Sequence, residues 1–149
     1  MNTKTLVIDS SVFNKLYLDE PDRHFALEIF RWASEGRVVL IAPTLLYLEV
    51  IATSQYYRLP VQPIKDLLDQ QVQHNLLLVE PEAQHLEKAI EIITTGHPKS
   101  GFPSVYDAVF HAMAMVENFT LVTADRRHFA KTDHLGHIAL LEHWPFDNR

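Results

Sequence analysis

Apolar and polar positions fall in blocks along the chain, and the clearest block is residues 104 to 125, an apolar run at helical spacing that passes into a short β-branched run, with acids at Asp107 and Asp125. Ser104, following Pro103, is an N-cap residue type, and the helix it opens should run to about Glu117. Asn118 makes the turn, and residues 119 to 123 alternate as a strand does. The helix from Asp107 to Asn118 rises about 16 Å at about 1.5 Å per residue, and the strand from Phe119 to Asp125 returns about 20 Å at about 3.3 Å per residue. Asp107 and Asp125 therefore reach one edge, the carboxyl end of the strands, where open α/β sheets place their sites.

The remaining blocks follow the same grammar. Residues 5 to 8 read as a buried strand ending at Asp9, with Ser10 and Ser11 available to cap a short helix from about Ser11 to Leu18. Pro21 suits the first turn of a second helix, in which Phe25, Ile29, Phe30 and Ala33 recur until Gly36 stops it. Residues 38 to 42 form a second strand, and Thr44 is the expected cap of a helix from 45 to about 55, with Glu49 little more than one turn in. Pro60 and Pro63 break that helix and start another at about Ile64, running to His74. Residues 76 to 79 are a third strand. Pro81 opens a helix striped by Leu86, Ala89, Ile90 and Ile93 and ended by Gly96. Residues 97 to 103 are a loop by composition, and residues 138 to 141 offer a fifth strand before a polar tail. Short strands separated by helices predict one α/β domain over residues 1 to 149, three layers deep, with a central, mostly parallel five-stranded sheet flanked by helices.

Composition narrows this without redirecting it. A chain of 149 residues, 47% of them hydrophobic, is long enough to bury a substantial core. The absence of cysteine removes disulfides and thiolate metal sites and fits a reducing compartment. The opening apolar run meets an acid at Asp9 and is too short for a signal peptide or a membrane span, so a soluble cytoplasmic protein is expected. A net charge of −6 argues mildly against a general nucleic-acid surface but leaves room for a local basic patch at Arg126, Arg127 and Lys131, with His128 among them.

Four carboxylates occupy comparable places: Asp9 after the first strand, Glu49 early in the helix after the second, Asp107 in the first turn of the central helix, and Asp125 after the fourth strand. In a parallel sheet all four lie at one edge. Two carboxylates about 4 Å apart repel by roughly 4 kcal/mol at an effective dielectric of about 20, so a bare cluster would hold protons well above the usual range. A divalent cation reverses that sign. An all-oxygen donor set suits Mg²⁺ or Mn²⁺ rather than zinc, and the chemistry it favours is metal-assisted phosphodiester hydrolysis.

Plainer readings stand beside this one. Asp107 could serve only as an acid in a capping box, Asp9 as a turn or cap, and Asp125 as the start of a polar turn. Glu49 fits such a role least, because Leu45, Leu46, Leu48, Val50 and Ile51 surround it. Asp107 and His111 stand four apart, a spacing that puts two ligands on one helix face, but no His-x-x-x-His pair on a helix or cysteine accompanies them. His24, His74, His85, His134, His137 and His143 are scattered and expected in solvent. Arg126, Arg127 and Lys131 could hold phosphates or form a solvated turn; Tyr47, Tyr56 and Tyr57 could stack on bases or pack in a core or dimer interface.

Leu6-Val-Ile-Asp9-Ser-Ser-Val12, Tyr47-Leu-Glu49-Val50, Tyr106-Asp107-Ala-Val-Phe-His-Ala-Met-Ala114 and Leu121-Val-Thr-Ala-Asp125-Arg-Arg-His-Phe129 together resemble the PIN-domain ribonucleases, and within them the toxin subunits of VapBC-type toxin–antitoxin pairs. The resemblance runs in order over nearly the whole chain. It implies a PIN-like fold and an endoribonuclease dependent on Mg²⁺ or Mn²⁺, often homodimeric, silenced by an antitoxin whose tail enters the active site. Carried over by position, Asp9, Glu49, Asp107 and Asp125 are the catalytic, metal-binding acids, and Ser11 and Thr123 are polar residues that support them. Alternatives are an inactive PIN-like module that binds RNA or protein, and a nuclease acting on DNA or structured nucleic acid. A receiver-like phosphotransfer domain would need an aspartate after the third strand and a lysine after the fifth, where Glu80 and His143 stand instead.

Overall fold

Each of the five strands expected from the sequence forms part of one sheet in the computed structural model, which describes residues 3 to 146. The strands are β1 (Lys4–Ile8), β2 (Val38–Pro43), β3 (Leu76–Val79), β4 (Thr120–Thr123) and β5 (Ile138–Leu140). They lie in the order β3-β2-β1-β4-β5, and every pairing is parallel. The central strand explains its own composition: Leu6, Val7 and Ile8 are all fully buried, because parallel strands are covered on both faces and carry continuous rather than alternating apolar residues.

Seven helices occupy the connections among the described residues: α1 (Ser10–Phe13), α2 (Arg23–Ser34), α3 (Leu46–Tyr56), α4 (Val61–His74), α5 (Ala83–Thr95), α6 (Val105–Glu117) and α7 (Arg126–Thr132). The chain steps from β1 outward to β3, then recrosses to β4 and β5. Right-handed crossovers accordingly set α1 to α4 over one face and α5 to α7 over the other. The reversal of direction falls between β1 and β4, so their carboxyl ends border a crevice.

The central helix of the sequence is α6. Residues 108 to 114 are buried without interruption, because α6 touches β1, β2 and β4 on one side and α5 on the other. A helix enclosed in this way is apolar all round. Ser104 caps it, and Asn118 closes it in the left-handed conformation (φ 59°), as the turn there requires.

Several local expectations are corrected. Asp9 itself caps the first helix, which is a single α-turn followed by a 3-10 turn at Asn14–Leu16, because its carboxylate reaches the amide of Val12. Leu45, not Thr44, precedes α3. Helix α4 starts at Val61, three residues earlier than expected, since Pro63 in a first turn forgoes no intrahelical bond. In the loop before α6, His97 and Gly101 form an antiparallel bridge, and a side chain at Gly96 would collide with the Phe102 ring. The expected polar tail is partly buried as far as it is described. Trp144 is only 5% exposed and meets Trp32 edge to face at 4.9 Å, since a large ring gains more from burial than from solvent. Residues 147 to 149 lie outside the described part. No helix among the described residues is long and apolar enough to cross a membrane.

Candidate functional site

Where β1 stops, Asp9 turns its carboxylate back over α1 and accepts the Val12 N–H at 3.3 Å and the Ser11 hydroxyl proton. Ser11 Oγ in turn accepts the Ala124 N–H at 2.8 Å and lies 3.3 Å from Thr123 Oγ1, which accepts the Asp125 N–H at 3.0 Å. With the Ser11 proton committed to Asp9, the Thr123 hydroxyl is the donor between the two side chains. These bonds stitch the ends of neighbouring strands β1 and β4 together and fix where Asp9 and Asp125 leave the sheet.

The other acids arrive on helices. Ser10 Oγ donates to Glu49 Oε1 at 3.1 Å and ties α1 to α3. Ser10 was expected only as a cap; its link to Glu49 joins residues 39 apart in sequence, which no local pattern announces. At α6 the Ser104 hydroxyl accepts the Asp107 N–H at 3.2 Å. Asp125 caps α7, accepting the N–H groups of Arg127 at 2.9 Å and His128 at 3.2 Å.

Burial and mutual repulsion act on these groups together. Asp9, 8% exposed, is pushed up to about 6, mainly by burial, with the charge of Asp107 adding to it and the Ser11 and Thr123 hydroxyls opposing it. Glu49 is pushed up to about 7 by burial and by Asp107 and Asp9, against the Ser10 hydrogen bond. Burial and then Asp125 raise Asp107, while Ser104 and Lys131 hold it down. Asp9, Glu49 and Asp107 thus each feel the field of at least one other acid. None of the four joins a salt bridge among the described residues, although seven other acids do.

This arrangement fits a hard divalent cation in charge and donor chemistry: clustered carboxylate oxygens, partly desolvated, with no ion-paired base to neutralise them. As the side chains stand, no three His, Asp or Glu residues among those described form a ready-made cage. Mg²⁺ does not require one, because it keeps several waters and takes only one or two carboxylates. Zinc fits poorly. His111, four residues after Asp107, donates its Nε2 proton to the Gly136 carbonyl at 2.8 Å and is fully buried, and burial lowers it to about 4.

The remaining candidates separate. Arg126 is held by Glu142 at 2.6 Å, Arg127 is exposed, and the charge of Lys131 favours the ionised form of Asp107. His128 is not part of a basic patch: it is buried against His111 and pushed down to about 4 by desolvation. His85 is also buried rather than solvated. Its Nδ1 accepts the Glu82 N–H at 2.9 Å, so its Nε2 proton goes to Glu117 at 2.9 Å, pinning α5 to the end of α6. Tyr47 donates to Asp69 on α4, and Tyr56 and Tyr57 pack against each other at the far end of α3 from Glu49.

A pH dependence follows from the raised acids. Their folded proton affinities exceed the unfolded ones, so the native state binds more protons and the metal-free protein gains stability as pH falls through about 7 toward 4.5. His111 and His128, depressed from 6.5 to about 4, oppose the trend below about 6.5. The expected result is a melting temperature in EDTA that rises between pH 7.5 and 6.5 and then flattens or falls; a flat or falling value in the first interval would contradict an uncompensated acidic cluster.

A sequence comparison with curated proteins gives no match. Solved structures do. The chain resembles the VapBC pair of Salmonella typhimurium bound to DNA (15% identity, 93% of this chain and 99% of that chain covered, TM-score 0.69) and VapBC2 of Rickettsia felis bound to promoter DNA (14%, 91% and 96%, 0.68). It also resembles VapC20 of Mycobacterium tuberculosis, a sarcin-ricin loop cleaving toxin (12%, 80% and 87%, 0.60). At these identities the likeness is one of fold. The PIN domain family model matches residues 6 to 135, from within β1 to the turn before β5, and so takes in all four acids. With that match over most of its length and the α/β sheet described above, the chain belongs to the PIN-domain family.

Proposed function

We propose that this protein is a nuclease that cleaves RNA internally with the aid of Mg²⁺ or Mn²⁺. The observation that carries the proposal is the convergence of Asp9, Glu49 and Asp107, from three separate elements, into a partly buried cluster with raised proton affinities and no ion-paired base. When bound, the cation offsets the acids' repulsion and polarises the water and phosphate for hydrolysis. Asp9 and Asp107 hold it, Asp125 completes the pocket, and Ser11 and Thr123 orient Asp9. Glu49 keeps Oε2 free, because Ser10 bonds Oε1, and that oxygen would ligate the cation or position its attacking water. No side-chain nucleophile is needed. Lys131, whose charge reaches Asp107, and Arg127 would meet the phosphates.

The VapBC neighbours support a finer reading, a toxin of that type restrained by a cognate antitoxin; a cytoplasmic homodimer is part of the same proposal. That VapC20 is a sarcin-ricin loop cleaving toxin supports RNA over DNA as the polymer. The test is cleavage of single-stranded RNA and DNA by the purified chain in Mn²⁺, in EDTA, and after Mn²⁺ is restored. Cleavage of RNA in the first and third conditions alone is expected. Undiminished cleavage in EDTA would overturn the metal mechanism; no cleavage, together with no Mn²⁺ binding by calorimetry at millimolar metal, would favour a non-catalytic binding module.

A further inference from the structure

Beside the acids lies a neutral cavity of about 370 Å³ lined by Thr44, Leu45, Leu48, Pro81, Val105, Tyr106 and Val109. Two of these residues adjoin proposed site acids in the chain, Leu48 before Glu49 and Tyr106 before Asp107. Both are unusually exposed for their types, Leu48 at 66% and Tyr106 at 60%. Neither position is needed for the core, so the apolar surface there is available to a ligand. We propose that this cavity seats the nucleobase next to the scissile phosphate, with Tyr106 as its stacking platform. The proposal rests on the reading of the acids as an RNA-cleaving site and names how that site grips its substrate.

Charge and position argue for a base. The lining carries no Lys or Arg and no carboxylate, so it offers nothing to a phosphate and does not repel an uncharged ring. The acidic cluster next to it does the opposite: with its cation it takes the phosphate and rejects an apolar group. A nucleotide has this same division, an anionic phosphate joined through one sugar to a flat neutral ring, and a chain with its phosphate at Asp107 has an adjoining base within reach of Tyr106 on the same helix turn. The cavity lies at the small end of ligand-site volumes, which suits one ring rather than a peptide segment. Aromatic faces hold single-stranded bases with little sequence preference. Thr44 supplies the only side-chain hydroxyl besides that of Tyr106; exposed, and not the cap of α3, it is free to meet the polar edge of the ring. The aromatic contact thus falls to Tyr106 and not to Tyr47, Tyr56 or Tyr57.

The test compares wild type, Tyr106→Ala and Tyr106→Phe on a short single-stranded RNA in Mn²⁺. The expected result is a KM raised about tenfold by Tyr106→Ala with kcat within about twofold, and near-wild-type values for Tyr106→Phe, because stacking needs the ring and not the hydroxyl. An abasic nucleotide beside the cut should cost the wild type the same tenfold and Tyr106→Ala nothing further. Equal abasic penalties in both proteins, or unchanged RNA kinetics in Tyr106→Ala, would overturn the proposal and leave the cavity to a protein partner. If the wild type cleaves no RNA, the nuclease reading fails separately. The base site is then read by fluorescence of 2-aminopurine stepped along the oligonucleotide: quenching at one position that Tyr106→Phe keeps and Tyr106→Ala loses supports it, and quenching indifferent to Tyr106 or absent overturns it.

Discussion

Asp9→Asn is expected to abolish cleavage and, in the absence of metal, to make the protein more stable at pH 7.5. The two effects share a cause. Asp9 is buried, and its affinity for a proton is raised from 3.8 to about 6, so at pH 7.5 the folded chain carries a charge that its surroundings disfavour. About two pKa units correspond to an upper bound of about 3 kcal/mol at 1.36 kcal/mol per unit, and a gain of about 1–2 kcal/mol is expected once Asn has rearranged its own hydrogen bonds. Asn keeps the capping oxygen for the Val12 N–H and the acceptor for Ser11, so α1 is retained. It does not keep the charge that would hold a cation. Urea unfolding in EDTA, paired with an RNA cleavage assay in Mn²⁺, checks both halves. Loss of activity with a loss of stability would mean that Asp9 is chiefly a structural cap.

Ser11→Ala is expected to act more widely than one hydroxyl suggests, lowering stability by about 1–2 kcal/mol and cleavage at pH 6.5 by about tenfold. Ser11 Oγ is both donor to Asp9 and acceptor for the Ala124 N–H at 2.8 Å, so alanine removes one bond to a carboxylate and leaves a backbone amide unsatisfied. Losing the donor also raises Asp9 further, because a hydrogen bond to the carboxylate favours its charged form. The acid limb of the pH–rate profile should therefore move to higher pH, and the lost activity should recover as pH rises to about 8.5. A uniform loss at all pH values, with the limb in place, would indicate that Ser11 holds strand ends together without tuning the acid.

The two variants also divide what pattern could reveal from what it could not. Asp9 is legible because the run that precedes it is short, apolar and β-branched, and an acid ending such a run stands at a strand's carboxyl end whatever the rest of the fold does. Asp107 and Asp125 are legible for a related reason: a helix and a returning strand of matched length bring their ends together. Ser10 is different. Its value comes from Glu49 on another helix, and the sequence contains no periodicity between positions 39 apart. His85, His111 and His128 were equally opaque, because a histidine in an apolar stripe and one in solvent look alike until the packing helix is known.

Trp144 makes the same point from the core. Taken with the polar residues around it, it read as part of a tail, yet it packs on Trp32 from α2, and that contact depends on where β5 leaves the sheet.

By itself the sequence determined the order of the strands and of the helices before β4, the buried strands, and which acids sit at strand ends, because those properties depend on neighbours within a few positions; it missed α7, whose residues read as a polar turn. Tertiary structure alone decided which face each helix covers, which hydroxyls bind which acids, how far burial raises Asp9 and Glu49, and that Leu48 and Tyr106 flank a neutral cavity. Those depend on desolvation and on Coulomb fields between groups distant in the chain, quantities set only when the sheet has assembled.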